Sequence, residues 1–251
     1  MSNDPIHQFH INPIVELPQI PGIDTTFTNA SLFMVAGVGV AAAFMSWAMR
    51  PAAMVPGRAQ VVAETAYGFI HGMVSDTMGA EGVKKFFPLV FTLFLFIFAA
   101  NMLGMFPYWF ATTSQLIVPA AMAIIVFLTV IGVGFAKNGL KFLKLFVPSG
   151  VPWYILWFVV IIEIISFFSR PLSHSLRLWA NIFAGHLLLK VIAGFVPTMA
   201  AAGGLIALGS VIPLAMTVAI YGLEFLVAFL QAYVFAMLTC IYLNDALHPG
   251  H

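Results

Sequence analysis

The sequence predicts an all-α polytopic membrane protein with five membrane-crossing helices and one interfacial amphipathic helix. Hydrophobic residues make up 62% of its 251 residues and charged residues only 8%, whereas an ordinary globular domain carries roughly 25% charged residues. Five apolar runs follow one another along the chain. The first three are close to the ~20 residues that span a bilayer, and the last two are longer. We therefore expect a single membrane domain over 1–251.

The predicted elements follow these runs in chain order. Residues 1–29 contain no Lys or Arg, so the basic head of a secretory signal peptide is missing and the first apolar run is expected to be a retained anchor. The predicted order is an external N-terminal tail over 1–29, a first transmembrane helix over 30–50, an interfacial helix over 52–79, two transmembrane helices within 84–136, and a long, strongly tilted helical hairpin over 150–247.

The interfacial helix is predicted because residues 52–79 are mixed in polarity rather than apolar. Their apolar members recur at helical spacing on one face, and their polar members lie on the opposite face, which is typical of a helix lying in the membrane surface. The apolar set is Val62, Ala66, Phe69, Ile70, Met73 and Val74, and the polar set is Gln60, Glu64, His71 and Ser75.

The apolar run from Val151 to Phe195 is too long for one straight crossing. At ~1.5 Å per residue, a single helix of this length would be about twice the hydrocarbon thickness. The sequence leaves three arrangements open: a strong tilt, a bend near Pro171, or a course partly along the membrane. A short turn containing Gly203 and Gly204 separates this run from the last one, which predicts an antiparallel hairpin.

Basic residues predict the orientation in the membrane. They cluster after the first span, before the second and after the third, whereas the N-terminal tail, 101–118 and the turn near 197–207 contain none. By the positive-inside rule, the N-terminus is outside and the C-terminus is inside after five passes. The residues concerned are Arg50, Arg58, Lys84, Lys85, Lys137, Lys141 and Lys144.

Composition and motifs exclude several functions. The formal net charge of +1 leaves no basic tail for nucleic acid, and the single cysteine, Cys240, excludes an internal disulfide. The chain contains no phosphate-binding loop and no nucleotide motif. We predict no cofactor, no bound metal and no catalytic site of its own.

Arg177 is the most informative residue, because it lies within the apolar stretch SLRLWANIFAGHLLL with no acid within four residues. An arginine does not lose its proton in a protein, and at the centre of a membrane helix it costs about 2.5 to 3.5 kcal/mol. Such a charge indicates function. Glu163, Arg170 and Arg177 are seven residues apart, and together with nearby polar residues they form one helical stripe. These neighbours are Ser166, Ser173, His174 and Asn181.

The final apolar segment carries a matching polar face. Glu224 and Gln231 are seven residues apart, and Asp245 lies fourteen beyond Gln231. In an antiparallel hairpin centred on the glycine turn, residues whose numbers sum to a constant lie at one level. One register levels Arg177 with Gln231, His186 with Glu224, and Glu163 with Asp245.

Purely structural interpretations stay open for several of these residues. Asn181 and Gln231 could join helices by hydrogen bonds, as amides often do in membranes. Glu163 and Asp245 lie near the inner ends of their helices, where solvated carboxylates are common. His174 could be an interior histidine or a haem ligand, although no second helix offers a matching histidine.

His186 lies nine residues after Arg177, about half a turn round the helix. A histidine and a carboxylate on adjoining helices pass protons near neutral pH, and a fixed cation on another face holds back a second charge. These residues predict a proton relay beside a positive barrier. The alternatives are a secondary transporter with midplane charged residues, for which we find no internal repeat, and a quinone or haem redox subunit, for which the chain carries no cofactor motif.

The stretch SHSLRLWANIFAGH resembles the signature of subunit a of the F-type ATP synthase, the stationary proton-path subunit that faces a rotating ring of c subunits. The resemblance covers nearly the whole chain. Its other segments are PGRAQVVAE, FTLFLFIFAANMLGMFP and FLQAYVFAMLTCIYL.

This resemblance implies roles for single residues. Arg177 would be the essential arginine opposite the ring carboxylate, with Asn181 beside it and Gln231 supporting it from the last helix. His186 and Glu224 would form the relay of the outer half-channel, with the histidine first and the acid second, as in alphaproteobacterial and mitochondrial members. Glu163 would be the acid of the inner half-channel. Weaker candidates for the proton path are Ser173, His174, Arg170 and Asp245.

The resemblance also implies partners and a location. These are the c-ring, the peripheral-stalk b-type subunits, membrane lipid and, indirectly, the catalytic F₁ sector, to which ATP chemistry would belong. Protons would ride round the ring in neutral form, because an ionised carboxylate facing lipid is expensive. The implied location is the bacterial cell inner membrane, with a periplasmic N-terminus and a cytoplasmic C-terminus.

Overall fold

The computed structural model describes residues 10–15, 26–50, 56–106, 109–147 and 152–248. Within these ranges the chain is almost entirely helical, which confirms the predicted all-α class. Two 3₁₀ helices, Thr112–Ser114 and Gly139–Phe146, flank the third α-helix. The α-helices are α1 Asn29–Ala48, α2 Arg58–Gly104, α3 Ile117–Asn138, α4 Trp153–Ala201, α5 Gly204–Gly209 and α6 Val211–Leu247.

Five helical segments of the described chain are long and apolar enough to cross a membrane. The prediction of a multi-pass membrane protein is thereby confirmed. The exact number of crossings and the tilt of the last two helices stay predictions. The five segments are Asn29–Ala48, Arg58–Gly104, Ile117–Phe146, Trp153–Ala201 and Ile206–Leu247.

The N-terminal tail contains secondary structure that the sequence did not predict. β1 (Pro13–Val15) pairs antiparallel with β2 (Phe27–Thr28). Asn29, the first residue of α1, binds this ribbon through its side chain, whose Nδ2 donates to the His10 carbonyl at 3.0 Å and whose Oδ1 accepts from the Asn12 amide at 3.2 Å. The rest of the predicted tail, 1–9 and 16–25, lies outside the described residues.

Gly79 divides α2 into two helical stretches that pack against each other. Its φ of 68° and ψ of −174° belong to a region that is essentially restricted to glycine. The Tyr67 and Phe87 ring centroids lie 4.7 Å apart, whereas an uninterrupted helix would separate these residues by about 30 Å. The chain therefore reverses at Gly79, close to where the predicted interfacial helix ends. Residues 51–55, at the start of that prediction, lie outside the described ranges.

The long C-terminal segments form helices up to and beyond the predicted glycine turn. α4 is 49 residues long, about 74 Å at ~1.5 Å per residue. Pro171 lies inside this helix and does not end it. Gly203 and Gly204 both have positive φ values, 72° and 59°, which explains why the chain turns at these residues. The short helix α5, between the turn and α6, was not predicted.

The chain forms two compact units. Unit 1 contains Met1–Ala42, Phe96–Gln115 and Leu178–Gln231, and unit 2 contains Ala43–Leu95, Leu116–Arg177 and Ala232–His251. The long helices α1, α2, α4 and α6 contribute residues to both units. The candidate functional residues are therefore divided between two environments.

Replacing Gly79 by alanine should destabilise the protein by about 1–3 kcal/mol, because a side chain is strained at this φ and ψ. Gly72→Ala is the matched control, since Gly72 lies in the helical stretch before the reversal and a Cβ there would meet no atom within 4 Å. The measurement is the thermal unfolding midpoint of the purified complex in detergent. Equal midpoints for the two variants would contradict a glycine-dependent reversal.

Candidate proton-path residues

His186 of α4 and Glu224 of α6 face each other within unit 1. The His186 Nε2 lies 3.8 Å from the Glu224 Oε1. Glu224 is only 4% exposed, and neither of its carboxylate oxygens has a hydrogen-bond partner among the described residues. Burial of a carboxylate without hydrogen bonds is costly, so the His186 ring is well placed to offset its charge or to exchange a proton with it.

Gly185 allows this close approach between the two helices. A Cβ built at Gly185 would lie 2.6 Å from the Glu224 Oε1, a distance that real side chains do not adopt. The backbone of α4 therefore comes nearest to the acid at the residue that precedes His186. Small residues commonly allow helices to pack closely in membranes.

Buried polar residues of unit 1 bind the stretch of α6 that carries Glu224. The Asn101 Nδ2 donates to the Ala228 carbonyl at 3.1 Å, and the Asn101 Oδ1 accepts from the Thr113 hydroxyl at 2.8 Å. The Tyr221 hydroxyl donates to the Met105 carbonyl at 2.7 Å. These bonds hold α6 on both sides of Glu224, three residues before it and four after it.

Arg170 and Asp245 form an ion pair between α4 and α6 within unit 2. The Arg170 Nη1 lies 3.0 Å from the Asp245 Oδ2. The guanidinium carbon also lies 5.6 Å from the Phe167 ring centroid and 5.1 Å from that of Tyr242, distances at which cation–π attraction operates. The sequence did not predict this pair, and the predicted level of Glu163 with Asp245 stays a prediction. Two carboxylates repel each other at low dielectric, and the long Arg170 side chain reaches Asp245.

His174 lies next to this ion pair and is only 3% exposed. Its ring centroid is 3.7 Å from that of Phe235 and 5.8 Å from that of Tyr242. Its Nε2 has no hydrogen-bond partner among the described residues. His174 and Arg170 also line a small enclosed cavity with Tyr242. The histidine is thus an interior residue whose polar atom is not satisfied by the residues around it.

Arg177 is exposed on α4 and lies at a shallow hollow of unit 2. Across the described part of the chain, no acid pairs with its guanidinium. This separates it from Arg170, which has both an acid and two aromatic rings. The other residues of the hollow are Ser169, Leu172, Ser173 and Leu176.

The remaining predicted residues have different exposures. Glu163 is half-buried in unit 2, Asn181 is exposed in unit 1, and Gln231 is buried in unit 1. Arg177 and Gln231, which the sequence predicts to lie at one level, belong to different units. Their shared level stays a prediction. The structure brings together His186 with Glu224 and Arg170 with Asp245.

The fold and these residues define a class: a multi-pass membrane protein whose long C-terminal helices carry charged and polar groups in their interior. The sequence profile of the family described as ATP synthase A chain matches residues 31–244. A protein named ATP synthase subunit a from Rhizobium johnstonii is 60% identical over 250 residues, which cover 100% of this chain and 99% of the relative. Proteins of the same name from Allorhizobium ampelinum and Sinorhizobium fredii are 59% and 60% identical over the same shares.

The chain therefore belongs to the ATP synthase subunit a family, which confirms the resemblance. Membership assigns it to the proton-translocating membrane sector of the synthase and decides against a secondary transporter or a redox subunit. The relatives named above come from rhizobia, in agreement with the expected alphaproteobacterial character.

Sequence reasoning overlooked Gly185 and the polar residues Asn101, Thr113 and Tyr221. A signal existed for Asn101, which is the single amide within the apolar stretch FTLFLFIFAANMLGMFP. Nothing in the sequence indicates that Gly185 contacts an acid on another helix, because this contact depends on how the two helices pack.

Gly185→Ala should destabilise the protein by about 1–3 kcal/mol, the usual effect of overpacking, because the new methyl group collides with Glu224. Adding Glu224→Asp shortens the acid and should restore part of the lost stability. Thermal unfolding of the purified complex measures both effects. The control is Gly194→Ala, also in α4, where a Cβ meets no atom within 4 Å. A Gly185 variant as stable as this control would contradict the contact.

Proposed function

We propose that this chain forms the two half-channels that load and unload the carboxylates of the c-ring, with Arg177 as the barrier between them. The observation that carries the proposal is the buried pair of His186 and Glu224, together with an exposed Arg177 that no acid of the described residues pairs with. Protons enter through the outer half-channel, cross on the rotating ring, and leave through the inner half-channel near Glu163.

The contact geometry supports His186 and Glu224 as the outer relay. Imidazole changes its charge near neutral pH, and the carboxylate opposite has no hydrogen bond from any described residue to hold it in one protonation state. The His186 Nε2 and the Glu224 Oε1 lie 3.8 Å apart, so a short shift of either side chain brings them within hydrogen-bond distance. A proton is then exchanged between them directly or through one water.

The surroundings of Arg177 support a barrier that acts on another subunit. The guanidinium keeps its charge at every physiological pH, and it faces outward from a helix with small exposed residues on the same side. Arg177 and the small residues on this side of α4 are exposed. A neighbouring helix can therefore approach closely and bring a carboxylate to Arg177. The small residues are Ser173, Ala180 and Ala184.

The inner half-channel is assigned to Glu163, with Asp245 as a weaker contributor because Arg170 already neutralises it at 3.0 Å. Ser173 and His174 are further candidates. His174 has an unsatisfied ring nitrogen and lies beside the Arg170 ion pair, so it is suited to bind water in the inner path.

The proposed partners are the c-ring, the peripheral-stalk b-type subunits and, indirectly, the F₁ sector, which carries out the ATP chemistry. We place the chain in the bacterial inner membrane, with the N-terminus periplasmic and the C-terminus cytoplasmic. The distribution of basic residues supports this orientation through the positive-inside rule. The chain itself contributes no catalytic group.

Arg177→Ala should abolish proton-driven ATP synthesis while the complex still assembles, because the barrier requires a fixed charge and this exposed side chain contributes little packing. Arg177→Lys should rescue poorly, since a compact, strongly hydrated ammonium lacks the planar donor set of a guanidinium. ATP synthesis is measured in energised inverted membrane vesicles.

Assembly of the Arg177 variants is checked by inhibitor-sensitive ATP hydrolysis in the same membranes. Arg170→Lys is the comparison variant, because a lysine at this position retains the charge that Asp245 requires, and it should keep more activity than Arg177→Lys. Near-normal synthesis by Arg177→Ala would overturn the role of this residue.

The double exchange His186→Glu with Glu224→His should restore much of the proton flux that either single replacement removes. Each single variant leaves two acids or two histidines at close range, where like groups cannot share a charge comfortably. The double variant again has one acid and one base at the same level. ATP-driven acidification of inverted vesicles measures all three variants, and ATP hydrolysis reports assembly. If the double variant is as impaired as the sum of its singles, the two residues act independently and the outer path runs elsewhere.

A further inference from the structure

The 3₁₀ helix Gly139–Phe146 presents three chemically different faces. A 3₁₀ helix has three residues per turn, so side chains at i and i+3 lie on the same face. Leu140 and Leu143 form an apolar face, and Lys141 and Lys144 form a basic face one third of a turn away. The third face contains Phe142, which is buried.

Phe142 attaches this segment to the end of α3. Gly134 leaves the space for its ring, because a Cβ at Gly134 would collide with it. The Phe142 ring centroid also lies 5.1 Å from that of Phe135 and 6.3 Å from that of Phe167. The Phe142 face therefore holds the segment against unit 2, and Phe146 adds a contact, since its ring centroid lies 5.2 Å from that of Phe167. The basic face and the Leu140 and Leu143 part of the apolar face point outward.

On these two faces, the described part of the chain leaves Leu140, Leu143, Lys141 and Lys144 uncovered. Leu140 is 81% exposed, and Leu143 is also exposed. Lys141 and Lys144 are exposed, and within the described ranges no acid pairs with either of them. Lys137 differs, because its Nζ lies 3.6 Å from the Glu81 Oε2. The segment thus carries two unneutralised cations directly beside an exposed apolar surface.

The neighbouring sequence indicates the depth at which the segment lies. Trp153 and Trp157, in the first turns of α4, are both largely exposed. Exposed tryptophans at the end of a membrane helix are typical of the headgroup level of the bilayer. A segment that ends a few residues before them is expected at the same level.

We infer that the outward faces of Gly139–Phe146 form a binding site for an anionic phospholipid. The Lys141 and Lys144 ammonium groups bind the headgroup phosphate, and Leu140 and Leu143 contact the upper part of the acyl chains. Charge complementarity and the adjacent apolar face favour a lipid over an acidic protein, which would leave the leucines in water. The inference rests on membrane insertion and not on the proposed proton path.

The test uses the whole synthase complex purified with this chain and titrated with phosphatidylglycerol in nanodiscs of phosphatidylcholine. Native mass spectrometry counts the phosphatidylglycerol molecules retained by the complex. Lys141→Gln with Lys144→Gln should weaken retention by about 30-fold, the change that corresponds to about 1 kcal/mol per lysine near an anionic surface. Lys141→Arg with Lys144→Arg should retain the lipid.

The matched control is Lys84→Gln with Lys85→Gln, which removes two exposed lysines from α2 without an adjacent exposed leucine pair. Equal loss in this control would mean that only bulk charge matters, and it would overturn the site. Unchanged retention in the Lys141 and Lys144 variant would overturn it as well.

A second measurement does not require the double variant to assemble. A photoreactive amino acid at Leu140 in the otherwise unchanged chain should cross-link to phosphatidylglycerol in native membranes. Cross-linking to a protein subunit instead would assign this surface to a protein interface and overturn the lipid site. Because both readouts are independent of proton flux, failure of the lipid site leaves the proposed function untouched, and the converse also holds.

Discussion

An unpaired charge at low dielectric is expensive, and this constraint governs how the charged residues of α4 and α6 are arranged. Arg170 meets it with Asp245 at 3.0 Å and two aromatic rings. Glu224 meets it only in part, through His186 at 3.8 Å. For Arg177, the described chain offers no acid at all. The three residues are thus neutralised to different degrees. Arg170 is held by its partners, Glu224 is left able to exchange a proton, and Arg177 is left able to change its partner.

The Arg170–Asp245 ion pair and the Glu224 carboxylate, which lacks hydrogen bonds from described residues, are suited to different roles. Arg170 and Asp245 are partly buried, and their ion pair at 3.0 Å is reinforced by two aromatic rings, so they are best suited to hold α4 and α6 together. Glu224 has no hydrogen bonds from described residues that would favour one protonation state. A group of this kind takes up and releases a proton with a smaller rearrangement, as a relay requires. Gly185 then determines how near the acid comes to α4.

Periodicity and charge in the sequence predicted the helices of this protein better than they predicted its side-chain contacts. The apolar runs, the seven-residue polar spacing and the glycine turn at 203 and 204 are local patterns, and they correctly indicated the helices and the facing of His186 and Glu224. The partner of Asp245 was not predictable, because Arg170 reaches it through a long side chain that a residue-number register ignores. The pairing of β1 with β2 was also missed, and beside it Asn29 binds His10 and Asn12, which are distant from it in sequence.

Arg177 most strongly indicated function in the sequence, and the described chain offers it no acid as a partner. These two facts have one cause. Structural charges acquire partners within their own chain, as Arg170 does. A charge that acts on a partner which comes and goes must instead stay exposed on its own chain. Arg177 meets this condition, because it is exposed together with Ser173, Ala180 and Ala184 on its side of α4. In the proposed function its counter-charge comes from another subunit, and the proton path is then complete only in the assembled complex.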